Sequence, residues 1–237
     1  MNLLNEISKQ FSSLKEAVKN ELNDLNQKVG STILDQWGNF TNETGLDLSY
    51  DTVKHYKDNS GHDIEIQPST LRKYKTIQKS EKKNQNRLLE SLEMSKAIYR
   101  NDKSGRHPVN LNDIKDNERI VLDDYYDADN GYMDELINND PDIYGALGRF
   151  KLKSKSNLEF VKTGNKLLPY GYVDHTIIDN YDFNPGTPLG LLINTIEDAN
   201  KAKSYKIKSR WKTRPIGVID IKDNKLDTSG IIWDPQF

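Results

Sequence analysis

The stretch "NLEFVKTGNKLL", Asn157 to Leu168, reads as strand, turn and strand, with the turn at "TGN". Residues of alternating character on both sides of a glycine-containing turn predict a β-hairpin. The texture extends outward in both directions. "RFKLKSK" alternates upstream, and "GYVDHTIID" places Val173, Ile177 and Ile178 among strand formers downstream. Farther on, "KSYKIKSRW" sets Tyr205, Ile207 and Trp211 among basic residues, and "IGVIDIKDNKL" runs into another turn. Four to six strands in about ninety residues predict a twisted antiparallel sheet or part-barrel.

The N-terminal half has a different period. Apolar residues from Leu4 to Ile33 recur in steps of three or four, through Ile7, Phe11, Leu14, Val18, Leu22, Leu25 and Val29. That is one stripe on a long helix, packed on the body or on a partner helix, with Gly38 as the expected stop. "NETGLDLSYDTVKHYKDNSGHDIEIQPST" reads as loop with a short strand at Asp63 to Gln67, and a second helix is expected from Ser69 to about Tyr99. Within it, "RKYKTIQKSEKKNQNR" holds seven basic residues against one acidic, the pattern of a solvated helix face. Gly105 and Pro108 break the helical pattern. The expected fold class is therefore α+β, with a helical delivery or docking region over 1–105 and a β-rich activity domain over 106–237.

Composition narrows the chemistry. In 237 residues, 34 basic side chains face 36 acidic ones, a net charge of −2 that gives no field for nucleic acid. The absence of cysteine removes disulfides, thiolate catalysis and Cys-ligated zinc. "MNLLNEISKQF" lacks the basic and apolar regions of a signal peptide, and no run of apolar residues is long enough for a transmembrane helix. Export would then need lysis or a dedicated secretion machine. Residues 113–142 carry eleven acidic side chains, and Asp127, Asp129, Asn130 and Gly131 sketch a calcium loop whose glycine comes one place early for an EF-hand.

The residues with most chemical content lie in "IIDNYDFNPGTPLG", Ile177 to Gly190. Asp179 and Asp182 flank Tyr181 where a strand is expected to end, so two carboxylates and a phenol could hold a divalent cation and orient water. The same residues before Asn184, Pro185 and Gly186 also make a good Asx-capped turn. Turn and site both stand on the residues alone.

The run "DNYDFN", the helix-prone "GLLINTIEDANKA" and the strand pair "KSYKIKSRW…IGVIDI" resemble the activity domain of colicin M and its relatives, over roughly Ala146 to Ile221. Those bacteriocins use Mg²⁺ to hydrolyse lipid II between undecaprenyl and pyrophosphate in the periplasm. The resemblance implies that Asp182 activates water or binds Mg²⁺, that Asp179 helps hold the cation and that Tyr181 positions phosphate. It departs from the family at Pro188-Leu189, which stand where a His-Arg pair is expected. His175, Arg210 and Arg214 are the substitutes offered by the sequence, the arginines as forks for a pyrophosphate. The implied protein is an antibacterial toxin released by a specialised secretion system or lysis, active in a target's periplasm and countered by an immunity protein. The alternative is a non-enzymatic effector acting on a membrane or partner through its N-terminal helices.

Overall fold

In a computed structural model the described residues are 3–94, 99–100, 114–123, 125–129, 140–148, 150–182, 194–197, 201–223 and 225–236. The elements in chain order are α1 (Leu3–Glu43), α2 (Asp47–Lys57), β1 (Ile64–Glu65), α3 (Pro68–Leu71), α4 (Lys75–Met94), β2 (Tyr99–Arg100), β3 (Arg119–Leu122) and β4 (Tyr125–Asp129). There follow α5 (Pro141–Leu147), β5 (Lys151–Thr163), β6 (Lys166–Tyr181), β7 (Tyr205–Gly217), β8 (Ile219–Lys222), β9 (Lys225–Asp227) and β10 (Ile231–Gln236). Helices and one large mixed sheet make this an α+β protein, as the two sequence periods require. The chain forms two compact units: Met1–Asp63 with Asp142–Leu147 and Asn180–Lys206, and Ile64–Pro141 with Gly148–Asp179 and Ile207–Phe237. Gly105 and Pro108, where the sequence pattern breaks, lie outside the described residues.

The first unit is built on α1 and α2. Helix α1 passes through Gly38 and ends beyond Glu43, where Gly45 takes φ +70° and the Leu46 N–H returns to the Thr41 carbonyl at 2.9 Å. Gly45 supplies the left-handed residue that closes a helix, so the stop falls there and not at Gly38. Leu22 and Leu25 on the apolar stripe are more than half exposed, at 55% and 57%, whereas Leu34 is buried. Helix α2 occupies part of the segment read as loop. It buries Leu48, Ser49, Thr52, Val53 and Tyr56, one helical face on which three of five positions carry hydroxyls. Its Ncap, Leu46, has no capping side chain. Asp142 of α5 does the capping instead, its carboxylate accepting the Leu48 and Ser49 N–H groups at 3.2 and 2.7 Å while the Ser49 hydroxyl donates to the Asp142 carbonyl at 2.7 Å. A cap of this kind contributes about 1 to 2 kcal/mol.

The second unit holds most of the sheet, whose strand order along the main path is β1-β7-β6-β5-β3-β2. Strand β1 pairs parallel with β7, and β5 and β6 form the long antiparallel hairpin predicted from the turn, from Leu152 opposite Ile177 to Thr163 opposite Lys166. Gly164, at φ +58°, occupies the turn. The helix expected over Ser69 to Tyr99 is interrupted between Leu71 and Lys75, and Tyr99 belongs to β2. Asp140 accepts the Thr76 N–H at 2.5 Å and a bond from its hydroxyl, capping α4. Asp127 and Asp129 belong to β4, paired with Lys153 and Lys151 of β5, so they form a ladder and not a loop; Asn130 and Gly131 lie outside the described residues.

Helix α4 has two different buried halves. Leu88, Leu89 and Leu92 join Ile120, Leu122, Leu158, Phe160 and Val173 in the apolar core. Each such side chain contributes roughly 1.5 to 3 kcal/mol through burial. One turn earlier the same face presents Thr76, Ser80, Glu81, Asn84 and Gln85, all buried. The sheet meets them with Ser154, Ser156, His175, Ser209 and Thr213, also buried. Ion pairing and hydrogen bonding must therefore hold this half.

Candidate functional site

Strand β6 carries the candidate residues in strict alternation. Val173, His175, Ile177 and Tyr181 are buried, Asp179 is half-buried, and Ile178, Asn180 and Asp182 face solvent. The strand ends at Tyr181, and the Asp182 N–H closes a tight turn onto the Asn180 carbonyl at 3.1 Å. Asp179 thus shares the face of His175 and Tyr181, while Asp182 leaves on the other. The rest of the motif, Phe183 to Gly190, lies outside the described residues, and with it Pro188-Leu189.

In the first unit, Tyr181 stacks on Tyr205 at a ring separation of 5.3 Å and meets Tyr56 edge-on at 5.8 Å. His55 lies edge-on against Tyr205 at 4.4 Å. The Tyr205 hydroxyl donates to the Thr52 carbonyl at 2.8 Å, and the Tyr181 hydroxyl hydrogen-bonds the Thr52 side chain. Burial raises all three phenols above the usual tyrosine value, with the Glu197 carboxylate adding to the effect at Tyr56. These hydroxyls stay protonated at physiological pH.

Glu197 closes the helical turn at residues 194–197 and accepts a 2.6 Å bond from the Ser204 hydroxyl. Partial desolvation, and then the negative charge of Glu197, hold the Asp182 carboxyl above its ordinary value. Asp182, Glu197 and the Tyr56 hydroxyl thus form one electrostatic group around the buried Tyr181. A carboxyl with a raised affinity for its proton, beside a second carboxylate and a phenol donor, can exchange protons with a bound substrate. Glu197 went unseen in the sequence because nothing in "NTIED" relates it to Asp182; only the tertiary fold does. Tyr56 could have been found from the spacing Leu48, Thr52, Tyr56, one helical face.

His175 sits in the second unit, wholly buried. Its Nδ1 is 2.8 Å from the Ser154 hydroxyl and its Nε2 is 2.9 Å from the Thr213 hydroxyl. Asn84 donates to the Ser154 hydroxyl at 2.8 Å and Gln85 to that of Thr213 at 3.3 Å. Beside them Glu81 receives two bonds from the Arg72 fork, at 2.9 and 3.0 Å, and one from the Trp211 indole at 2.9 Å, while the Trp211 ring stacks on His175. Burial lowers the His175 pKa to about 4, so the imidazole is neutral at physiological pH. Both ring nitrogens are engaged by protein groups.

Arg210 and Arg214 alternate with Trp211 and Thr213 on β7 and project from the opposite, outward face. Arg210 meets Asp174 at 3.2 Å and Arg214 meets Asp234 at 2.8 Å. Within this unit the fold therefore does not gather His175 with the two arginines. Among the described residues no three His, Cys, Asp or Glu side chains converge as a metal cage, and no helix is long and apolar enough to cross a membrane. The chain matches no family model, no curated protein and no solved structure.

Proposed function

We propose that this chain is an antibacterial effector of colicin M type, hydrolysing the undecaprenyl-pyrophosphate linkage of lipid II in a target cell's periplasm. The observation that carries the reading is the Asp182 carboxyl at the end of β6, solvent-facing, raised in proton affinity and coupled to Glu197 beside the buried Tyr181. Asp182 takes a proton from the attacking water. Asp182 and Glu197 are hard oxygen donors of the kind Mg²⁺ takes in ones and twos beside substrate phosphates, and they would hold it. When bound, Mg²⁺ neutralises charge on the pyrophosphate. His175, bonded through both nitrogens, is given no catalytic role, and neither are Arg210 and Arg214. Release through a specialised secretion system or lysis and a cognate immunity protein belong to the same proposal.

Directing the chain to the periplasm of a susceptible bacterium should cause lysis, and purified protein should release pyrophosphoryl-linked product from lipid II. Asp182→Asn should abolish both. Equal killing by the variant would overturn the reading. A second reading draws on the exposed Leu22, Leu25 and Val29 of α1, which suit a partner-binding effector without chemistry. There, Leu22→Glu with Leu25→Glu abolishes toxicity and Asp182→Asn leaves it intact.

A further inference from the structure

Glu197 reaches the candidate site from a helical turn whose described part is residues 194–197. Its neighbour Ile196 is buried, and the Lys201 N–H donates to the Ile196 carbonyl at 2.9 Å. From there residues 201–205 are tied to α2. The Lys203 N–H donates to the Tyr56 carbonyl at 3.1 Å, and the Tyr205 hydroxyl donates to the Thr52 carbonyl at 2.8 Å. Ala202 and Tyr205 are buried along the same stretch. Ser204 therefore stands between two residues that α2 holds in place. Its hydroxyl donates to Glu197 Oε1 at 2.6 Å, within the short range of hydroxyl bonds to a carboxylate.

This bond meets a need that two neighbouring carboxylates create. Glu197 and Asp182 repel each other, and the charge of Glu197 is felt at Asp182. A glutamate side chain has three rotatable bonds and relieves such repulsion by swinging toward water. Ser204 removes that freedom, because Glu197 cannot leave without breaking a charge-assisted bond to a hydroxyl fixed from both sides. A carboxylate offers about four acceptor sites, so the bond at Oε1 leaves capacity for a cation.

We infer that Ser204 is a positioning residue, holding Glu197 beside Asp182 so that both carboxylates offer oxygens to one divalent cation. The inference rests on the hydrolase reading and deepens it by naming what keeps one of the two cation-holding groups in place. Ser204 itself touches neither cation nor substrate; its effect passes through Glu197.

The test is calorimetric titration of the full chain with magnesium chloride alone. Wild type should bind Mg²⁺, and Asp182→Asn should lose it. Ser204→Ala should weaken the affinity by roughly 10-fold, the lower end of what losing a hydrogen bond to a metal ligand costs, with an unchanged melting temperature in metal-free buffer. Ser204→Thr keeps the hydroxyl and should retain wild-type affinity. In a Glu197→Gln background Ser204→Ala should cost nothing more. Should Ser204→Ala lower the melting temperature, Ser204→Cys keeps the volume with a weak donor and carries the same expectation of loss. Wild-type affinity in folded Ser204→Ala would overturn the inference, as would a further 10-fold loss in the Glu197→Gln background. In either case a loss in Asp182→Asn would leave the cation-holding reading standing. An absence of Mg²⁺ binding by wild type would overturn that reading and the inference together.

Discussion

His175 and Tyr181 occupy the same face of β6 and live in opposite chemical surroundings. The imidazole is enclosed by hydroxyls and amides that use both of its nitrogens, with the Arg72–Glu81 pair behind them. The phenol is enclosed by aromatic rings, and the residue after it carries a carboxyl into solvent beside Glu197. One end of the strand spends its polar groups on each other; the other leaves one in reach of a ligand. A perturbed titration is therefore a poor guide by itself, since both ends show one and only the second offers a group to an incoming molecule.

The comparison breaks most visibly at the solvent-facing end. Under the proposed hydrolase reading, Asp182→Asn should lower lipid II hydrolysis by roughly 10²- to 10⁴-fold, the usual range for losing a general acid or base, with an unchanged melting temperature. The enclosed end should answer in stability instead. Glu81→Ala removes the buried carboxylate that holds the part-buried Arg72 guanidinium and accepts from the Trp211 indole, so denaturant titration should show a loss of about 3 kcal/mol.

His175 sharpens the contrast through pH. Its folded pKa of about 4 lies below the ordinary value of 6.5, so the unfolded chain takes up the proton first as pH falls. The contribution of the neutral imidazole is complete above pH 6.5 and declines as pH drops toward 4, by up to about 3 kcal/mol at the bottom of that window. Denaturation midpoints across these pH values should slope downward in the wild type and flatten in His175→Gln. An unchanged slope would mean that the imidazole is not the titrating group.

The sequence carried the sheet well and the site only in part. Alternation around Gly164 was readable because β5 sets buried Leu152, Ser154, Ser156, Leu158 and Phe160 against exposed Lys151, Lys153, Lys155 and Asn157, and its partner β6 buries Leu167, Val173, His175 and Ile177 on the same face. The projection of Arg210 and Arg214 follows from the same period. Helix α2 was not readable, because Ser49 and Thr52 fill buried positions where a periodic pattern looks for apolar residues, and its cap comes from Asp142. The polar half of α4 misled in a related way: Glu81, the one acidic residue in a basic run, is not on a solvated face but buried under Arg72 and Trp211. The five lysines of that run, Lys73, Lys75, Lys79, Lys82 and Lys83, are exposed as the pattern suggests. At the candidate site, Tyr181 and Asp182 were visible as a motif, whereas Glu197 and Tyr205 reach them only through tertiary folding, which no local spacing encodes.

The short run Asp140-Pro141-Asp142 has a consequence for the order in which the protein can be made. Asp142 starts α2 from 93 and 94 residues downstream, and Asp140 starts α4 from 64 residues downstream. A ribosome therefore delivers both helices long before their start signals leave the exit tunnel. Until that tripeptide emerges, α2 and α4 wait with open N-termini, and the newborn chain passes much of its synthesis in a state that cleavage or capture by a chaperone can intercept.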